Sequence, residues 1–135
     1  MSGERYPVLW IGQVAVVTLP AEIDVTNADA IREDLLAVLN QGALLLVADM
    51  SKTDFCDSSG VSALVRVFRH AATSATALRL VVTTPAVLRV LSITGVDRLV
   101  DVYPSVAASL AGLNGRADQA WPDGATAKAD TDGGA

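Results

Sequence analysis

Asp49-Met50-Ser51-Lys52-Thr53-Asp54-Phe55-Cys56-Asp57-Ser58-Ser59-Gly60 is the stretch whose reading decides the fold. It follows the apolar run Leu44-Leu45-Leu46-Val47-Ala48 and precedes apolar residues at helical spacing, Val61, Leu64, Val65 and Phe68. An apolar run without alternation suits a strand buried on both faces, and the later spacing suits one face of a helix. The segment therefore reads as a strand, a polar turn and a helix running from about Ser58 to Ala72. A helix start carries unpaired N–H groups and the positive end of the dipole. A hydroxyl placed there either caps the helix or is a natural carrier of phosphate. Ser58 is that hydroxyl.

Upstream, Tyr6 to Ile11 and Val14 to Leu19 are β-rich runs separated by Gly12-Gln13, the pattern of a hairpin. Pro20-Ala21 ends the second run, and Glu22-Ile23-Asp24 forms a short acidic corner. A helix follows with Thr26 or Asn27 as its N-cap, burying Ile31, Leu35, Val38 and Leu39 and closing at Gly42. Downstream, Leu78 to Val82 is a strand, and Pro85 opens a helix whose apolar positions are Val87, Leu88, Leu91 and Ile93. Leu99 to Val102 is a short last strand, and Pro104 opens a helix with Val106, Leu110 and Leu113. The order predicts an α/β domain: a mixed sheet of four to five strands with an N-terminal β-hairpin and about four α-helices. In such folds sites lie at the carboxyl ends of strands. That rule gathers the acidic corner, the Asp49–Ser59 turn and Thr83-Thr84 at one end.

The 135 residues suit one domain, with 51% hydrophobic and 19% charged residues arguing for a packed core. Residues 1–113 form that domain. Residues 114–135, rich in Gly, Ala and Asp with Trp121 as the one large apolar side chain, read as a flexible tail. A net charge of −5 argues against direct DNA binding. No apolar run reaches the ~20 residues of a membrane span, the N-terminus lacks a leader pattern, and the lone Cys56 fits a reducing compartment. The expectation is a soluble cytoplasmic protein.

Catalytic patterns are few. Neither a phosphate-binding glycine-rich loop with its lysine nor a Gly-x-Gly-x-x-Gly run occurs. His70, the single histidine, stands late in the second helix, where the dipole favours positive charge, and has no nucleophile placed beside it. One histidine and one cysteine make no usual zinc set. Asp24, Asp49, Asp54 and Asp57 could in principle hold magnesium, as in a response-regulator receiver domain. That pattern also needs an acidic pair after the first strand and a lysine after the last, and neither is present. Cys56 reads as a small buried hydrophobe whose neighbouring aspartates raise its pKa. No catalytic residue, metal ligand or cofactor is assigned.

Three segments together resemble the STAS domains of anti-sigma-factor antagonists. Glu22-Ile23-Asp24 is similar to the family's acidic motif after the second strand. Asp49-Met50-Ser51 with Asp57-Ser58-Ser59-Gly60-Val61 resembles its Asp-(Leu/Met)-Ser…Asp-Ser-Ser-Gly signature. Pro85 to Leu91 with Thr94-Gly95 resembles its third helix. The likeness spans about residues 8 to 112. It implies that an anti-sigma factor with serine kinase activity phosphorylates Ser58, that the unphosphorylated form binds this partner and frees the sigma factor, and that a serine phosphatase resets the switch. It also implies a partner surface of Glu22, Asp24, Asp57, Ser58, Ser59, Gly60 and Ser62. Two positions depart from the pattern: Pro20-Ala21 replaces a glycine, and Cys56 stands where a larger apolar residue is usual. STAS domains also serve as accessory or docking units of membrane transporters and sensory complexes, the alternative role for this turn.

Overall fold

The computed structural model describes residues 6–111. Its sheet has five strands in the order β1-β2-β4-β6-β7: β1 (Val8–Ile11), β2 (Val14–Thr18), β4 (Leu45–Met50), β6 (Ala77–Val82) and β7 (Asp101–Tyr103). β1 and β2 form the antiparallel hairpin, and β2, β4, β6 and β7 run parallel. Parallel neighbours require crossovers, supplied by α1 (Ala28–Leu39), α2 (Ser58–Thr73) and α3 (Pro85–Thr94). The last helix is α4 (Val106–Leu110). The expected mixed sheet, hairpin and four helices are thus present.

The two faces of the sheet are covered unequally. Ala15, Val17, Leu46, Ala48, Met50, Leu78, Leu80 and Val82 form one core with Ile31 and Leu35 of α1, Leu64 and Val67 of α2, and Val87 and Leu91 of α3. Among the described residues the opposite face, Val16, Leu45, Val47 and Val81, packs with Val14 and Ala77 of the sheet and with Val106 and Leu110 of the short α4. β4 is buried on both sides, which is why its sequence shows no alternation. On the thinner face Arg79 bonds the Ser109 carbonyl and lies 5.4 Å over the Tyr103 ring, holding α4 to β6 and β7.

Several local expectations change. Glu22–Ile23 is not only a corner but a two-residue strand, β3, pairing in parallel with β5 (Phe55–Cys56) inside the predicted turn. Two residues are too few for period-2 alternation to register. Asn27, one of the two expected candidates, is the N-cap of α1, but its side chain makes no cap bond to the helix. Asn27 instead accepts from the Asp24 N–H at 3.0 Å and donates to the Glu22 carbonyl at 2.8 Å, so the corner uses its amide first. On α3 the buried stripe is Val87 and Leu91, while Leu88 and Ile93 are 41% and 75% exposed. Gly95, at φ 84°, ends that helix, and a 3₁₀ turn over Val96–Arg98 delays the last strand to Asp101. Leu113, Trp121 and the 114–135 tail lie outside the described residues.

Leu80→Ala at the fully buried centre of β6 should cost roughly 2–5 kcal/mol in urea unfolding. Ile93→Ala should stay within about 0.5 kcal/mol of the parent. Equal losses would contradict the observed stripe of α3.

Candidate functional site

β2, β4 and β6 end level with one another, because Thr18 is in register with Asp49 and Met50 with Val82. The loops leaving β2 and β4 are tied backbone to backbone: Leu19 N–H to the Asp49 carbonyl and Asp54 N–H to the Ala21 carbonyl, both 2.9 Å, and Asp57 N–H to the Ile23 carbonyl, 3.1 Å. Three threonines add side-chain ties. Thr53 Oγ1 donates to the Pro20 carbonyl at 2.8 Å, Thr83 Oγ1 to the Ser51 carbonyl at 3.0 Å, and Thr84 Oγ1 to the Thr53 carbonyl at 2.9 Å. Thr53 is completely buried. A buried hydroxyl is tolerated because it is satisfied, and here the satisfaction joins separate loops. The gathering of three segments at one end of the sheet is therefore present, and Pro20-Ala21 leaves the corner fully tied. Thr53 escapes a sequence reading, since a threonine between Lys52 and Asp54 looks like any turn residue.

The cap of α2 is Asp57, not Ser58. Asp57 is extended at φ −99°, and its Oδ1 accepts from the Ser59 N–H at 2.9 Å and the Gly60 N–H at 3.2 Å. Ser58 is the first residue inside the helix, exposed, with no hydrogen bond to its hydroxyl among the described residues. A carboxylate suits the positive end of the dipole and takes two of the amides that a phosphate would use. Gly60 is buried against β3 and β5. A Cβ added there would lie 2.6 Å from Cys56 Sγ and 2.7 Å from Ile23 Cγ2, inside any real contact distance. The Cys56 thiol is buried, and burial, with the Asp57 charge second, pushes its pKa up to about 11. Cys56 is thus a packing residue, and desolvation outweighs the aspartate.

The expected site residues fall into three groups. Pairing of Ile23 with Cys56 sets Glu22 beside Phe55 and carries Asp24 toward Asp57 and Ser58. Ser59 and Ser62 line a groove against α1 with Val25 and Ala28. Gly60 points inward. Asp24 closes a turn on itself, its Oδ1 accepting from the Thr26 hydroxyl and, at 2.9 Å, from the Thr26 N–H. The hydroxyl bond first and the amide bond second hold its carboxyl below the usual aspartate value. Val25 and Phe55, 74% and 49% exposed, add apolar surface on either side of the turn. They were not singled out from sequence, because one apolar residue among polar ones has no period. Among the described residues no three His, Cys, Asp or Glu side chains converge as a metal site, and no helix is long and apolar enough to cross a membrane.

A family model for the STAS domain matches residues 8–109. An anti-sigma-B factor antagonist of Bacillus subtilis is 29% identical over 86 residues, covering 64% of this chain and 78% of that protein. The crystal structure of an anti-sigma factor antagonist from Mycobacterium paratuberculosis superposes with a TM-score of 0.72 at 28% identity, covering 78% of this chain and 89% of the other. The Bacillus cell fate determinant SpoIIAA in its phosphorylated form superposes at 0.60 with 21% identity, covering 77% and 96%, a likeness of fold alone.

Two outcomes test this geometry. Asp57→Ala should lower stability by about 0.5–2 kcal/mol through loss of the cap, and Ser58→Ala should be near neutral, both read by thermal melting. The Asp24 carboxyl should titrate below the ordinary 3.8 by NMR, and Thr26→Val should move it back up. Because the folded value is the lower one, its contribution is present above the unfolded aspartate pKa and is lost as pH falls through the folded value.

Proposed function

The chain belongs to the STAS domain family, and on that basis we propose that it is an anti-sigma-factor antagonist switched by phosphorylation of Ser58. The observation that carries this reading is the position of Ser58: an exposed hydroxyl, unbonded within the protein, at the start of a helix that another residue already caps. Nothing in the fold needs that hydroxyl, so another protein can modify it without disturbing packing. The exposed Val25 and Phe55 and the acids Glu22 and Asp24 surround it with the mixed apolar and charged character of a protein interface. In this reading Glu22, Asp24, Asp57, Ser58, Ser59 and Ser62 face the partner, and Gly60 shapes the turn from beneath.

The unphosphorylated form binds an anti-sigma factor that is also a serine kinase, and the sigma factor is released. Transfer of phosphate adds about −1.5 to −2 charges at Ser58 beside Asp57 and Asp24. An interface shaped for a neutral hydroxyl must then desolvate that charge, and a loss of only ~3 kcal/mol weakens binding more than a hundredfold. A serine phosphatase reverses the step. The protein works in the cytoplasm as substrate and binder, and the group-transfer chemistry belongs to its partners.

Incubation with the cognate anti-sigma kinase and ATP should add one phosphate, mapped by mass spectrometry to Ser58. Ser58→Ala should abolish the gain and keep binding. Ser58→Asp should weaken binding by about a hundredfold with an unchanged melting temperature. Label on Ser59 instead would overturn the assignment.

A further inference from the structure

The groove between α1 and α2 is lined by three arginines and one carboxylate, Arg32, Arg66 and Arg69 against Asp29, so its charge is mainly positive. It has two joined parts that share Arg32 and Arg66: one of about 280 Å³ beside Ser59 and Ser62, and one of about 590 Å³ reaching Arg69 and His70. Of the seven Lys and Arg residues within the described part of the chain, three line this groove, together with the sole histidine, in a protein of net charge −5. Arg32 pairs with Asp29 at 3.1 Å, the one ion pair among the described residues, and Arg66 and Arg69 have none there. Exposed arginines on a net-acidic protein lower the local potential barrier to an anion and attract negatively charged partners.

We propose that this groove, which begins at Ser59 and Ser62 beside the Ser58 turn and runs along α2 to Thr73, docks an acidic segment of a partner protein. The inference extends the partner-binding reading and rests on it only in taking the occupant to be a protein. Shape favours a peptide over a small anion. From Ser59 to Thr73 the groove follows α2 for about 21 Å at 1.5 Å per residue, and Val25, Ala28 and Leu36 give it an apolar floor. Charge favours a protein over a nucleic acid. Glu22, Asp24 and Asp54 stand on and beside the β3–β5 pair that precedes α2, and repel a polyanion that extends past the groove. The surface around the start of α2 is therefore bipolar, acidic toward β3 and basic along α2. A partner with the complementary pattern is fixed in orientation before any close contact forms.

The probe is a synthetic peptide of repeated Glu-Glu-Leu, titrated into the ¹⁵N-labelled full chain. Amide shifts should concentrate at residues 25–36 and 59–73, and affinity should fall as salt rises. Arg66→Glu with Arg69→Glu should weaken binding at least tenfold with an unchanged thermal melt. Arg89→Glu, an exposed arginine of α3 outside the groove, should bind the peptide as the parent does, and no kinase is needed, so this result stands or falls independently of Ser58 modification. Undiminished binding by the double variant, shifts centred on the Ser58 turn, or tighter binding of a DNA duplex than of the peptide would each overturn the proposal.

Discussion

The first turn of α2 lies closer to the β3–β5 pair than any side chain at residue 60 allows. With a Cβ only 2.6 Å from Cys56 Sγ, position 60 must be glycine or the helix must move away. That approach lets Asp57 act twice, its N–H paired to the Ile23 carbonyl and its carboxylate capping the helix it precedes. It also fixes Ser58 as the next residue out, on the solvent side. Cys56 belongs to the same constraint. A larger residue there would crowd Gly60, so the small thiol and the missing side chain form one packing solution.

Beneath this contact the threonines make the site rigid. Thr53 and Thr84 link the loops after β2, β4 and β6 through buried or half-buried hydroxyls, where each bond is stronger than in water and costly to leave unmade. The surface of the turn can therefore change charge while the strand ends beneath it stay in place. The uneven cover of the sheet fits the same division. Three helices bury the face behind the turn, and the other face is held by α4 through Arg79, Val106 and Leu110.

Long elements were legible in the sequence, and so was the short α4, whereas the two-residue strands β3 and β5 were not. β4, α2 and the hairpin announce themselves through apolar runs and helical spacing, and their positions need little correction. β3 and β5 are set by each other across more than thirty residues, so neither carries a local signal. The sequence leaves capping open at Ser58 because Asp57 and Ser58 are both good capping residues. What decides between them is the backbone, which turns extended at Asp57 and helical at Ser58. Leu88 and Ile93 show the opposite failure: the composition of α3 offers more apolar positions than its one buried stripe accepts.

The Asp57 carboxylate already holds the Ser59 and Gly60 amides, which has a kinetic consequence for a group attached to Ser58. Helix starts often grip phosphate through those amides, and a gripped phosphate is slow to give up. Here two of the donors are occupied, so the phosphoserine of the proposed switch would find fewer amides to hold it. Its removal would then need no loop to open and no cap to break. Under that proposal the lifetime of the modified state would be set by how often the removing enzyme arrives, and not by a barrier within this protein.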